Sequence, residues 1–190
     1  MRKISFIAKT LLVPSCLLIS SMAASAEDGT VTFTGNISDT TCIVTIADAN
    51  GTGIGDYTVK LKDVSTTALA KAGERAGDTD FKFQLSGTNC TNGKYANVSF
   101  ERALSQNIDG TTGNLKNHTA AGAAKNVQVG LSDESKNPID LRQQITDATK
   151  GKQITNNTAE FTYWAQYVAT GDAASAGSVH TDVVYSIIYQ

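Results

Sequence analysis

The sequence predicts an all-β domain, a β-sandwich with Greek-key connections. Three observations carry that reading. About eight short stretches alternate apolar and polar residues at period two, turn residues separate them, and only one stretch has helical spacing. Strands of that length at that spacing, without intervening helices, belong to sandwiches rather than to parallel sheets.

Residues 1–26 read as an export signal. Arg2, Lys3 and Lys9 make a basic start, residues 11–22 form a short apolar run, and Ala24-Ser25-Ala26 fits a small-x-small cleavage site. The apolar run is too short for a confident membrane span. Cleavage leaves 164 of the 190 residues, enough for one domain with a real core. The signal takes three of the 16 basic residues and none of the 18 acidic ones, so the formal charge moves from -2 to -5. A mildly acidic chain argues against a nucleic-acid partner, which calls for a basic face.

The first strand is 30–37. Val31, Phe33, Gly35 and Ile37 fall on one face, and Thr30, Thr32, Thr34 and Asn36 on the other. Gly35 interrupts the apolar stripe, which marks a bulge or the close approach of another backbone. Two readings stand: an ordinary first strand of its own sheet, or a terminal strand offered to another sheet. Next, 41–46 places Cys42, Val44 and Ile46 on one face, and 48–53 reads as a turn or loop around Asn50-Gly51. Residues 57–62 alternate again, with Lys60 and Lys62 toward water.

The helical hint is 66–75, capped by Ser65 or Thr66 and ended by Gly73 and Gly77, with at most two turns expected. Phe81, Phe83 and Leu85 mark a strand, 86–93 a polar loop, and Ala96, Val98 and Phe100 another strand. Residues 106–125 read as a long surface loop, and Val127, Val129 and Leu131 as a strand. Asn137-Pro138 is a turn, and 146–157 is polar and turn-like. Alternation returns along 159–167, and then along Val183, Tyr185, Ile187 and Tyr189 up to Gln190.

Cys16 leaves with the signal. Cys42 and Cys90 remain, an even pair in an exported chain, and read as a disulfide between the second strand and the loop after Leu85. The alternative, a redox or metal pair, lacks CxxC spacing and neighbouring histidines. His118 and His180 lie in polar loops without nearby partners in sequence. No GxSxG elbow or GxxxxGK loop occurs, and acidic residues are scattered. The chain therefore carries no catalytic residue, metal site or cofactor motif, and it is not read as an enzyme. Triplets such as Asn36-Ile37-Ser38 and Asn117-His118-Thr119 arise readily in an Asn- and Thr-rich chain.

Taken together, several features resemble a chaperone–usher pilin, most of all the type 1 fimbrial major subunit group. They are the segment 29–35, the cysteine seven residues beyond Gly35, the second cysteine 48 residues on, and the ending Tyr189-Gln190. Leu85-Ser86 ahead of Cys90 and the run 167–171 add to it. The resemblance spans essentially the whole mature chain, and its motifs are specific only in combination.

The resemblance implies an incomplete immunoglobulin-like sandwich lacking its last strand, with 27–38 as a donor-strand extension and 39–190 as the pilin domain. A periplasmic chaperone fills the groove, and at the outer-membrane usher the extension of the next subunit replaces it. Val31, Phe33 and Ile37 would be the plugs, each contributing roughly 1.5–3 kcal/mol if fully buried. Gly35 would sit where a side chain obstructs insertion. Val183, Tyr185, Ile187 and Tyr189 would border the groove and pair with the chaperone. Only Glu27, Asp28 and Gly29 precede the donor core, a shorter leader than in many major pilins.

The implied role is a structural subunit of an adhesive surface fibre, exported through the periplasm, with identical or related subunits as partners. The competing reading is a stand-alone secreted binding module of lectin type, which predicts a stable monomer with 31–37 in its own sheet. A two-domain tip adhesin would need a longer chain, and a small exported enzyme would need site motifs.

Overall fold

The β-branched and aromatic alternation forms nine strands among residues 40–190, the part of the chain that the computed structural model describes. The signal assigned to 1–26 and the extension assigned to 27–38, with Val31, Phe33, Gly35 and Ile37, lie outside the described residues. The strands are β1 (Ile43–Asp48), β2 (Gly51–Ile54), β3 (Arg75–Ser86), β4 (Tyr95–Phe100), β5 (Leu115–Lys116), β6 (Val127–Ser132), β7 (Lys152–Gln153), β8 (Ala159–Ala169) and β9 (Tyr185–Tyr189). One sheet has the order β2-β1-β3-β8-β6-β5 and the other β7-β4-β9. Every ladder is antiparallel.

The inner faces meet in one aromatic core. Phe83 of β3 is 2 % exposed. Its ring lies 4.7 Å from that of Tyr185 and 6.4 Å from that of Phe100, both in the facing sheet. Tyr163 of β8 packs edge-on to both Phe83 and Phe100. These contacts hold the two sheets at a sandwich separation. The disulfide joins Cys42, just ahead of β1, to Cys90 in the loop between β3 and β4, with the Cα atoms 4.4 Å apart.

The structure departs from the sequence reading in several places. The expected loop 48–53 is a hairpin: Asp48 pairs with Gly51 and only Ala49 and Asn50 form the turn. Asn50 is held there because its backbone N–H and side-chain amide both donate to Asp48. The helical hint reduces to one 3₁₀ turn, Thr66–Leu69, capped by the Ser65 hydroxyl, which accepts from Thr67 N. The loops 106–125 and 146–157 contain the two-residue strands β5 and β7. β9 begins at Tyr185 rather than Val183.

The largest difference is at 57–62. Tyr57, Val59 and Leu61 pack against the core, and the residues between them are exposed, as the alternation requires. Yet 57–65 belong to no ladder. Alternation fixes which side chains are buried, but a strand also needs a neighbouring backbone to pair with.

Candidate functional site

That unpaired segment is one lip of a trench, and β9 with the residues leading into it is the other. Along β9, Val184 and Gln190 turn their backbone groups toward β4. Glu101 N donates to Val184 O at 2.8 Å, and Tyr95 and Gln190 exchange bonds of 2.9 and 3.0 Å. Alternate residues of an antiparallel strand turn N–H and C=O the opposite way. Val183, Tyr185, Ile187 and Tyr189 therefore present theirs to the outer edge, where β9 has no neighbouring strand among the described residues. The side chains of these four pack on the core.

The opposite lip has the complementary arrangement. Lys60 N donates to Asp48 Oδ2 at 3.4 Å and Lys62 N to Thr79 Oγ1 at 3.3 Å, so these residues face β1 and β3. The alternation of an extended chain then turns the backbone groups of Val59 and Leu61 toward the trench. Among the described residues both lips thus offer hydrogen-bonding groups without a backbone partner above an apolar floor. An open edge of this kind is costly in an isolated subunit and is a template for strand addition.

The trench encloses about 1340 Å³, more than the roughly 300–1,000 Å³ usual for a small-molecule pocket. Ile46, Phe81, Phe83, Phe100 and Leu131 floor one part, and Leu69, Val127 and Ala174 the other. Where Leu69 and Ala174 meet, Ala174 N donates to Leu69 O at 2.9 Å and joins the walls. At the other end the Tyr185 hydroxyl donates to Gly55 O at 3.0 Å. Burial, with Asp56 nearby, raises the Tyr185 phenol above its ordinary pKa. Thr181 Oγ1, on the β9 lip, is buried and has no hydrogen-bond partner among the described residues.

The sequence-assigned groove residues divide. Val183 and Tyr185 line the trench. Ile187 and Tyr189 lie farther along β9, where the Tyr189 hydroxyl accepts from Cys42 N at 3.3 Å. The second lip, Thr181 and the Tyr185–Gly55 bond escaped sequence reasoning. The alternation at 57–62 was the available signal, but it says nothing about a missing neighbour.

The two histidines are also brought together. The rings of His118 and His180 lie 4.8 Å apart, His118 N donates to His180 O at 3.1 Å, and Asp182 lies 3.7 Å from His118 Nε2. Among the described residues no three His, Cys, Asp or Glu side chains form a metal-binding group.

Comparison with known proteins gives the family and the fold. The profile of the family described as "Fimbrial protein" matches residues 31–190. The chain is 39% identical to the F17 fimbrial protein of Escherichia coli over the whole of both chains. It is also 39% identical to the major fimbrial subunit SMF-1 of Stenotrophomonas maltophilia, covering 91% of this chain and 99% of that one. Identity to an Escherichia coli type-1 fimbrial protein A chain is 33%, over 95% and 96% of the two. Among solved structures, the P pilus rod subunit PapA superposes with a TM-score of 0.51 at 16% identity, covering 85% of this chain and all of that one. A chaperone–usher pilus structure gives 0.51 at 15% identity, over 87% and 98%.

Proposed function

This chain belongs to the Fimbrial protein family and is a structural subunit of a fimbria, and from that premise we propose that it polymerises head to tail by donor-strand exchange. The extension 27–38 of one subunit fills the trench of the next. Val31, Phe33 and Ile37 seat on the apolar floor, and Gly35 passes where a side chain would obstruct. Before assembly a periplasmic chaperone strand occupies the same trench, and an outer-membrane usher oversees the replacement. The finished fibre stands on the cell surface. Fimbrial proteins are structural subunits, and no catalytic step enters this account.

The observation that carries the reading is the pair of lips whose inward residues have no backbone partner among the described residues and stand over an apolar floor. One added strand answers both needs: its N–H and C=O groups pair with Val183 and Tyr185 on one side and with Val59 and Leu61 on the other. The lengths agree. Seven residues, 31–37, extend about 24 Å at the rise of an antiparallel strand, and the nine-residue lip 57–65 offers about 30 Å. A strand donated to a different copy is a heterologous contact that does not close, so it builds a filament.

The test is assembly of the mature chain with and without Phe33→Asp, followed by sedimentation and electron microscopy. The wild type is expected to form fibres. The variant, whose plug is charged, is expected to stay short, and mixing it into wild-type chain is expected to terminate growing fibres. Fibres of normal length from pure variant would remove 31–37 from the assembly contact.

A further inference from the structure

Tyr185 does more than line the trench. Its ring is anchored in the core 4.7 Å from Phe83. Its hydroxyl crosses from the β9 side to Gly55 O, ahead of the lip 57–65, at 3.0 Å. Among the described residues this is the one hydrogen bond that joins 55–65 to 179–190. The remainder of the trench is unstrapped until Leu69 and Ala174 meet at the far end. Tyr57, on the same lip, has its hydroxyl turned the other way, donating to Asp48 at 2.7 Å.

We propose that the Tyr185–Gly55 bond is a latch on the empty trench, which an incoming donor strand must break in order to seat along β9. The inference rests on the donor-strand reading and adds a gating residue to it. The latch ties down a lip that belongs to no ladder among the described residues and is otherwise held only from behind, by Lys60 N and Lys62 N, and so holds the unfilled subunit in shape. A strand pairing with the outer edge of β9 claims the backbone groups of Tyr185 and needs the space between that residue and Gly55. The hydroxyl bond therefore exists before insertion and is absent after it. Its loss lowers the barrier to insertion and leaves the filled state unchanged.

The measurement is uptake of a fluorescein-labelled peptide of residues 27–39 by the mature chain carrying Phe33→Asp, whose own extension is not expected to seat, followed by anisotropy for that chain (the wild type of this comparison) and for the same chain with Tyr185→Phe or Tyr57→Phe. Phenylalanine keeps the ring against Phe83 and removes only the hydroxyl. The association rate of Tyr185→Phe is expected to rise about two- to tenfold, the worth of one net hydrogen bond. Its dissociation rate should equal that of the wild type, and Tyr57→Phe should leave both rates unchanged. An unchanged association rate in Tyr185→Phe, an equal acceleration in Tyr57→Phe, or a faster dissociation in Tyr185→Phe would each overturn the latch while leaving donor binding intact. Failure of the wild type to take up any peptide would overturn the donor-strand reading itself, and the latch with it.

Discussion

Asp140 shows how single residues fix the loops around the sandwich. Arg142 Nε donates to its Oδ1 at 2.8 Å and Nη2 to its Oδ2 at 2.7 Å, a two-pronged pair. The third guanidinium nitrogen donates to Thr111 O at 2.7 Å and so ties down the neighbouring turn. The Arg142 side chain, helped by its backbone N–H, holds the Asp140 carboxyl down to about 2 from 3.8. A depressed carboxylate stabilises the fold above its unfolded pKa, and that contribution is lost as pH falls toward about 2. Carbon-detected NMR titration should therefore give a midpoint near 2 for Asp140, and Arg142→Ala should return it toward 3.8. An unmoved midpoint in the variant would show that other groups set it. Little of this was legible in the sequence. Inward residues such as Phe83 and Tyr163 follow from alternation alone. The Asp140–Arg142 fork, the His118–His180 contact and the Tyr185–Gly55 bond depend on loop paths that no periodicity encodes.

At the scale of elements, burial pattern and pairing are separate properties. β3, β4, β6 and β8 were legible because alternate residues of each are apolar and each has neighbours to pair with, although β4 and β6 are buried on both faces. The lip 57–65 has the burial pattern without a partner strand among the described residues, and the two-residue strands β5 and β7 have a partner without a pattern. β3 also carries a bulge near its start. Gly77 has φ +79° where the register to β8 shifts, a left-handed position at which an added Cβ would lie 3.0 Å from Tyr167 and Val64 and that suits glycine at a bulge. The disulfide acts on the elements at the other end. It joins the residue ahead of β1 to the β3–β4 loop, beside a bond of 3.2 Å from Thr41 N to Asn89 O. Closing a loop of 48 residues stabilises by about 4 kcal/mol in the chain-entropy model. The double variant Cys42→Ser/Cys90→Ser should lose stability of that order in urea unfolding. A loss below about 1 kcal/mol would mean that the unfolded chain is already constrained there.

At the scale of the whole molecule, the described residues form a two-sheet sandwich with an open edge. Its six-stranded sheet is continuous, whereas among those residues the three-stranded sheet ends at β9 with no neighbouring strand and an apolar trench beside it. On the proposed reading such a subunit is stable only in part alone, and the same deficit drives it to accept a strand from outside. The sequence made the sandwich legible and offered 31–37 as the candidate strand, which lies outside the described residues. It did not make the vacancy legible, because an absent neighbour leaves no residues to read. The account's central claim is that the vacancy is filled by 31–37, and urea unfolding tests it most directly. The disulfide-intact chain of residues 39–190 is unfolded alone, with a peptide of residues 27–39, and with the same peptide carrying Phe33→Asp. At a concentration about 100 times its Kd, the native peptide should stabilise the chain by about 2.7 kcal/mol, and the aspartate peptide should give no gain. A chain already stable alone and indifferent to both peptides would contradict the account.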